Sequence, residues 1–430
     1  GVDYVPMNWK KIFLIQFLNI AGLGPIFGAI QGALFGPSAF LWTVFGTIFA
    51  GGVHDFLSGY LSLKNKGVSA SELVGIYLGE NARKIMVVFS VVLLVLVGVV
   101  FVTGPAGLLN SLTKVDTQIW VVVIFAYYII ATVLPIDKVI GKIYPLFGAA
   151  LILMAVGIAG GLFVKGYSIP ELTLTNFHPD GKSIFPYLFI TIACGAISGF
   201  HATQSPMMAR CIQRESETRR VFFGSMIVEG IVALIWCAVT IAFFGDSVSI
   251  AAAGAPAEIV NIVSSKLLGP AGAILAVLGV VACPITSGDT AFRSARLTIA
   301  DAFKIKQDGL KSRFMLAIPL FAVGVALTQI DFNIIWRYFA WSNQTLAMIF
   351  LWTGAAYLLV NKKNFWIAVI PAIFMSYVSV AYILQAPEGF KLNPMFSNIT
   401  GVIVGILFFS AFMMRVKKEK NKVEKTEKVS

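Results

Sequence analysis

The chain has 430 residues, 58% of them hydrophobic and only 13% charged. Soluble domains run at about 45–50% apolar and about 25% charged, so this composition excludes a water-soluble fold and requires lipid around its exterior. The net charge of +12 does not indicate nucleic acid, because the lysines and arginines lie between hydrophobic runs and in the tail from Arg415 to Lys428, where basic excess marks cytoplasmic segments.

Crossing the hydrocarbon takes about 20 apolar residues. In chain order the candidate runs are 11–34, 38–63, 85–109, 118–135, 143–164, 184–209, 220–245, 270–300, 314–330, 333–360, 365–385 and 398–415; we number them spans 1 to 12. Span 8 is overlong, and Pro284 is placed to kink it. The one longer connection, 168–183, reads as a surface loop with a short amphipathic stretch. The mixed-charge tail, 416–430, has almost no apolar content and is expected to be disordered or to lie on the anionic inner leaflet.

The connections orient these spans. Basic residues fall on alternate ones: Lys10 and Lys11, Lys64 to Lys84, Lys138 and Lys142, Arg210 to Arg220, Lys304 to Arg313, Lys362 and Lys363, and the tail. The other connections hold only Lys114, Lys165, Lys182, Lys266 and Lys391. The positive-inside rule then puts both ends of the chain in the cytoplasm.

Span 1 carries Ala21-Gly22-Leu23-Gly24-Pro25 near its middle. Two helix-weakening glycines and a proline without an N–H predict a break there. In span 6, Gly195, Gly199 and Pro206 bracket a polar stretch, Ser198 to Ser205, which is expected to be unwound at mid-membrane depth. Broken helices at corresponding positions of two halves point to a transporter site. Spans 1 and 6 each open a unit of five, an odd number, so the two units insert with opposite topology. The fold class read from this is an all-α polytopic membrane protein. It has about 12 transmembrane helices, a five-plus-five inverted repeat with broken first helices, and two extra helices. A single transmembrane domain, 1–415, comprises repeats 11–164 and 184–360 and the additional spans 365–415.

Span 8 holds the densest polar cluster, Pro284 to Arg296. On a helix, Thr286, Asp289, Thr290 and Arg293 share one face, with Asp289 and Arg293 as i,i+4 neighbours. Charges at this depth must face protein or water. Thr286, Ser287, Asp289 and Thr290 offer oxygens suited to sodium; Asp289 could instead carry a proton, or form an internal pair with Arg293. Further embedded ionisable groups are His54 and Asp55 in span 2, His201 in span 6 and Glu229 in span 7. Glu229 has no evident partner and reads as structural. Cys194, Cys211, Cys237 and Cys283 form no CxxC or Cys/His spacing, and neither disulfides nor zinc is indicated. Enzyme signatures and an ATPase domain are absent, so pumping would draw on an ion gradient.

Gly199-Phe-His-Ala-Thr-Gln-Ser-Pro-Met-Met-Ala-Arg-Cys211 and Pro284-Ile-Thr-Ser-Gly-Asp-Thr-Ala-Phe-Arg-Ser-Ala-Arg296 resemble the signature segments of the carbon starvation protein A family. Gly22-Leu-Gly-Pro25 and Val53-His-Asp-Phe56 resemble that family's first break and its Asp-Phe site. The resemblance runs from Gly1 to about span 10. It implies a bacterial or archaeal cytoplasmic-membrane carrier associated with nutrient limitation, taking up peptides or, in several members, pyruvate with protons. Family members usually carry a helix ahead of the segment resembling Gly1 to Pro6, and the longer members exceed this chain.

The resulting expectation is ion-coupled symport of pyruvate or a short peptide by alternating access. Gly22, Gly24, Pro25, Gly199, His201, Gln204 and Ser205 would bind substrate, helped by half-helix N-terminal N–H groups. Asp55, Thr286, Ser287, Asp289, Thr290 and Arg293 would couple the ion, a proton or sodium. Expected partners are the small-molecule substrate and the lipid bilayer, with no nucleic acid, cofactor or bound metal. The rival readings are a sodium-coupled carrier of amino acids or peptides, a channel, and a nutrient sensor whose output is the tail.

Overall fold

A computed structural model describes residues 6–133, 137–307 and 309–427, with side chains described outside 137–144 and 419–427. Three parts of the sequence reading lie outside the described residues: the Gly1–Val5 start of the resemblance, the side chains of Lys138 and Lys142, and the end of the tail.

Every regular element among the described residues is helical. Among the described residues, nine helices are long and apolar enough to cross a membrane, and a tenth crossing is the bent pair Trp9–Ala21 and Gly24–Phe35. The other two expected spans are a 17-residue apolar helix, Thr117–Val133, and the interrupted segment 184–209. The chain is a multi-pass membrane protein.

Burial sorts the spans into layers. Span 10 (Phe332–Val360) has 83% of its apolar window inside the protein, against 22% for spans 9 (Leu310–Leu327) and 12. Span 3 (Glu80–Thr113) packs on span 8 (Pro270–Ala302) and on span 10. Its run Leu93 to Val102 is apolar all round and buried, as a helix enclosed by others must be. The lipid-facing helices instead expose Phe49, Val122, Ile130, Leu153, Ile318 and Leu407, which no aqueous surface would present as such a belt. Spans 11 (Trp366–Gln385) and 12 pack on each other, and span 11 leans on span 10.

Span 8 is continuous through Pro284. A π-helical stretch, Val277–Ala282, precedes the α-helix Cys283–Ala302. The widened turn accommodates the proline where an unmodified helix would clash. Three α-helices on connections were not foreseen, Ala70–Leu78, Ser247–Ala252 and Pro256–Leu268. The 168–183 connection forms no helix and is instead tethered: the His178 ring packs edge-on against Phe35 at 4.7 Å, and Ser247 donates to the Phe177 carbonyl.

The tail corrects an expectation. Span 12 begins the helix Pro394–Glu427, which runs on through most of the stretch read as disordered. Lys and Glu are good helix formers, and a helix already nucleated in the membrane extends through them without a new nucleation cost.

Candidate functional site

The two breaks form and meet as glycine chemistry requires. Span 1 bends by 47° between Ala21 and Gly24, with Gly22 at φ +39°, a conformation that L side chains avoid. A Cβ on Gly24 would lie 2.2 Å from the Cβ of Cys194, so the second half of span 1 presses directly on the break in span 6. On its other side, Gly22 faces the ring of Phe101 in span 3.

In span 6 the non-helical backbone is 192–198, between a short helical segment, 184–191, and the helix Gly199–Ala209. This corrects the sequence reading, which placed the unwound stretch at Ser198 to Ser205. His201, Gln204 and Ser205 are helical, and Pro206 sits inside the helix rather than at its edge. The break falls where donors from neighbouring spans await the freed carbonyls. Gln344 of span 10 donates to the carbonyls of Phe189 (3.0 Å) and Ala193 (3.4 Å), and the Thr47 hydroxyl of span 2 donates to that of Gly195 (2.8 Å). Asn343 serves the opposite end: its Oδ1 accepts from the Phe200 N–H at 2.7 Å and from the Ser198 hydroxyl at 3.0 Å. Gly199 has no room for a side chain, because a Cβ there would lie 2.5 Å from the Asn343 carbonyl oxygen. Protein groups therefore occupy the half-helix N-terminus that was expected to meet substrate.

Sequence reasoning missed Asn343 and Gln344. Their signal was two adjacent amides in an otherwise apolar run.

Beside the break lies a cluster of ionisable groups, all fully buried. Asp55 takes His54 Nδ1 on Oδ1 at 2.8 Å and His201 Nδ1 on Oδ2 at 2.7 Å. The second ring nitrogen of His201 faces Glu229 Oε2 at 3.3 Å, which gives Glu229 the partner its sequence context did not reveal. Asp55 fixes a proton on His201 Nδ1. Nε2 and the Glu229 oxygen, each a lone-pair centre, then need one proton between them to avoid facing each other bare in a dry interior. A second chain of polar contacts continues from this cluster. Ser205 Oγ donates to the His201 carbonyl (2.9 Å), lies 2.9 Å from Ser58 Oγ and accepts from Gln16 of span 1 (3.4 Å). Gln204 turns away and bonds Thr203.

The structure thus gathers Gly22, Gly24, Pro25, Gly199, His201, Ser205 and Asp55 around the facing breaks. Thr286, Ser287, Asp289, Thr290 and Arg293 form a separate group on span 8. Asp289 pairs with Arg293 at 3.0 Å. The hydroxyls of Thr286 and Thr290 are spent on their own helix, on the carbonyls of Cys283 and Thr286. A recess beside this pair is lined by Thr132, Arg296, Leu320 and Phe321, among others, and by no residue of the His201 cluster. Phe101 connects the two regions: its ring sits edge-on to Phe200, and its Cβ backs onto Gly288.

Comparison with known proteins agrees with this architecture. The model of the carbon starvation protein CstA family matches residues 1–110 and 104–266, and the chain belongs to that family. An uncharacterized membrane protein of Haemophilus influenzae is 44% identical over 298 residues, 57% of this chain and 80% of that one. The peptide transporter CstA of Bacillus subtilis is 25% identical across 97% of this chain and 90% of its own length. The pyruvate/proton symporter BtsT of Escherichia coli is 26% identical, but the match covers only 55% of this chain and 42% of that protein. Among solved structures, a manganese transporter of Eremococcus coleocola superposes with a TM-score of 0.60 at 11% identity, over 96% of this chain and 98% of that one. That likeness establishes a shared fold.

Proposed function

We propose that the protein is a secondary transporter that imports a small carboxylate-bearing nutrient, pyruvate or a short peptide, together with a proton. The observation that carries this reading is His201, held between Asp55 and Glu229 on the first turn after the break in span 6. A half-helix that moves when substrate arrives would carry His201 with it. Separating His201 from Glu229 would strand a proton or a charge in an apolar interior, so protonation and conformation are tied together. Family membership supports the substrate class, since the relatives include peptide transporters and a pyruvate/proton symporter. Positive-inside orientation of a bacterial or archaeal cytoplasmic membrane, with the C-terminus inside, and an opposed pair of five-span units complete the reading.

The proton reading is favoured over sodium because His201 and Glu229 face each other at 3.3 Å with one proton to share, whereas Asp289, the one carboxylate among the span 8 oxygens, is already paired with Arg293. The test is uptake of labelled pyruvate and of a dipeptide into proteoliposomes, with pH and sodium gradients imposed in turn. Uphill accumulation should follow the pH gradient. Glu229→Gln should keep downhill exchange and lose accumulation. Accumulation driven only by sodium, or a Glu229→Gln protein that concentrates substrate like the wild type, would overturn the coupling assignment.

A further inference from the structure

Outside the broken-helix region, span 8 carries a cluster of charge in an apolar setting that the transport reading does not use. It lies where spans 4, 8 and 9 converge. Arg293 and Arg296 line a recess with Asp289, between the apolar walls Phe292, Leu320 and Phe321. Arg293 is held by Asp289. Arg296 is only 8% exposed, and it donates to the neutral amide oxygen of Gln307 at 3.3 Å. The Gln307 carbonyl accepts from Arg313 at 3.2 Å, which draws a third guanidinium to the rim. From Asp289 to Arg313 the chain carries six basic residues and three acidic ones. Two guanidiniums over one carboxylate make a site for an anion, and the hydroxyl that lines the recess, Thr132, donates to the Tyr128 carbonyl.

We propose that this recess binds the phosphate of an anionic phospholipid. Three features select a lipid over a soluble anion. First, Phe292, Ala317, Leu320 and Phe321 line the recess beside the guanidiniums, so an anion that docks there is best served by carrying apolar surface with it. Second, two of the helices that line it, spans 4 and 9, are among the least covered by protein, which places lipid acyl chains beside them. Third, exposed aliphatic side chains continue away from it on both: Ile129 and Val133 on span 4, Met315 and Ile318 on span 9. Basic pockets between transmembrane helices at the positively flanked membrane face are suited to such headgroups. The phosphate would join spans 4, 8 and 9 by bridging Arg293 and Arg296.

The test uses the purified, delipidated protein, with native mass spectrometry and thermal unfolding as readouts. Phosphatidylglycerol should bind and raise the melting temperature, and phosphatidylcholine should do neither. Each of Arg293→Gln and Arg296→Gln should weaken phosphatidylglycerol about fivefold, whereas Lys84→Gln, an exposed cation elsewhere, should bind as the wild type does. If Arg296→Gln does not fold, Arg296→Lys keeps the charge, loses the planar fork and should show an intermediate loss. Equal binding of the two lipids, or arginine variants that bind like the wild type, would overturn the proposal. Protection by inorganic phosphate or glycerol phosphate alone would replace it with a soluble-anion site.

Discussion

The side-chain oxygen of Asn343 lies 2.7 Å from the backbone nitrogen of Phe200 and accepts its hydrogen bond. Span 10 therefore caps the half-helix of span 6 from outside, because Ser198 at the N-cap position makes no capping bond of its own. Asn343→Ala leaves the buried Phe200 N–H without a partner and the Ser198 hydroxyl with only the Cys194 sulfur at 3.6 Å, which costs about 1–3 kcal/mol. A lowered melting temperature in detergent checks this; unchanged stability would mean that water or another side chain replaces the cap.

Close backbone contact at the breaks predicts an asymmetry among glycines. Gly24→Ala forces a Cβ to within 2.2 Å of Cys194, overpacking that typically costs about 1–3 kcal/mol. Gly160→Ala, in span 5, meets nothing within 4 Å and gains up to about 1 kcal/mol of helix propensity. Side-by-side unfolding of the two variants decides the matter, and equal behaviour would remove the contact argument.

The breaks were legible because glycine and proline act locally: Gly22, Gly24 and Pro25 bend span 1 wherever it packs. The extent of the break in span 6 was not legible. It depends on Gln344 and Thr47, which reach the freed carbonyls from other spans, and polarity alone wrongly assigned the unwound stretch to Ser198–Ser205. His54, Asp55, His201 and Glu229 each stood out as ionisable groups in apolar runs. Their pairing is a tertiary fact: His201 lies 146 residues from Asp55 in sequence, and no periodicity links them. The membrane-crossing runs followed from composition, whereas helices on connections, such as Pro256–Leu268, lacked the length that marks a span.

The tethered connection predicts a pH dependence. Burial, and then the nearby Lys182, push the His178 pKa down to about 4, and its Nδ1 accepts from the Asp180 N–H, which requires a neutral ring. Unfolded, the ring would titrate near 6.5. The unfolded chain therefore binds the extra proton between these values. The contribution of His178 is complete above about pH 6.5 and is lost as pH falls toward 4. Melting temperatures measured across this window should drop less for His178→Gln than for the wild type. Parallel curves would show that His178 is not the group responsible.

One exposed contact ties the end of span 2 to the connection between spans 6 and 7. Glu215 accepts from Tyr60 at 2.9 Å and from Lys64 at 2.6 Å, and Lys363 lies over the Tyr60 ring. Lys64 and Glu215 are 43% and 52% exposed, so water and salt screen the pair and its contribution is small. That is too little to hold the fold, yet enough to bias two conformations of similar energy. Glu215→Gln should leave the melting temperature nearly unchanged. In a background lacking the native cysteines, it should speed thiol labelling of Ser205→Cys from the tail side by up to about fivefold. High salt should bring the wild type to the same rate, because exposed pairs are screened. If labelling is insensitive to both the substitution and salt, this contact does not gate the path, and the barrier lies deeper, among the packed residues around Gln16, Ser58 and Ser205.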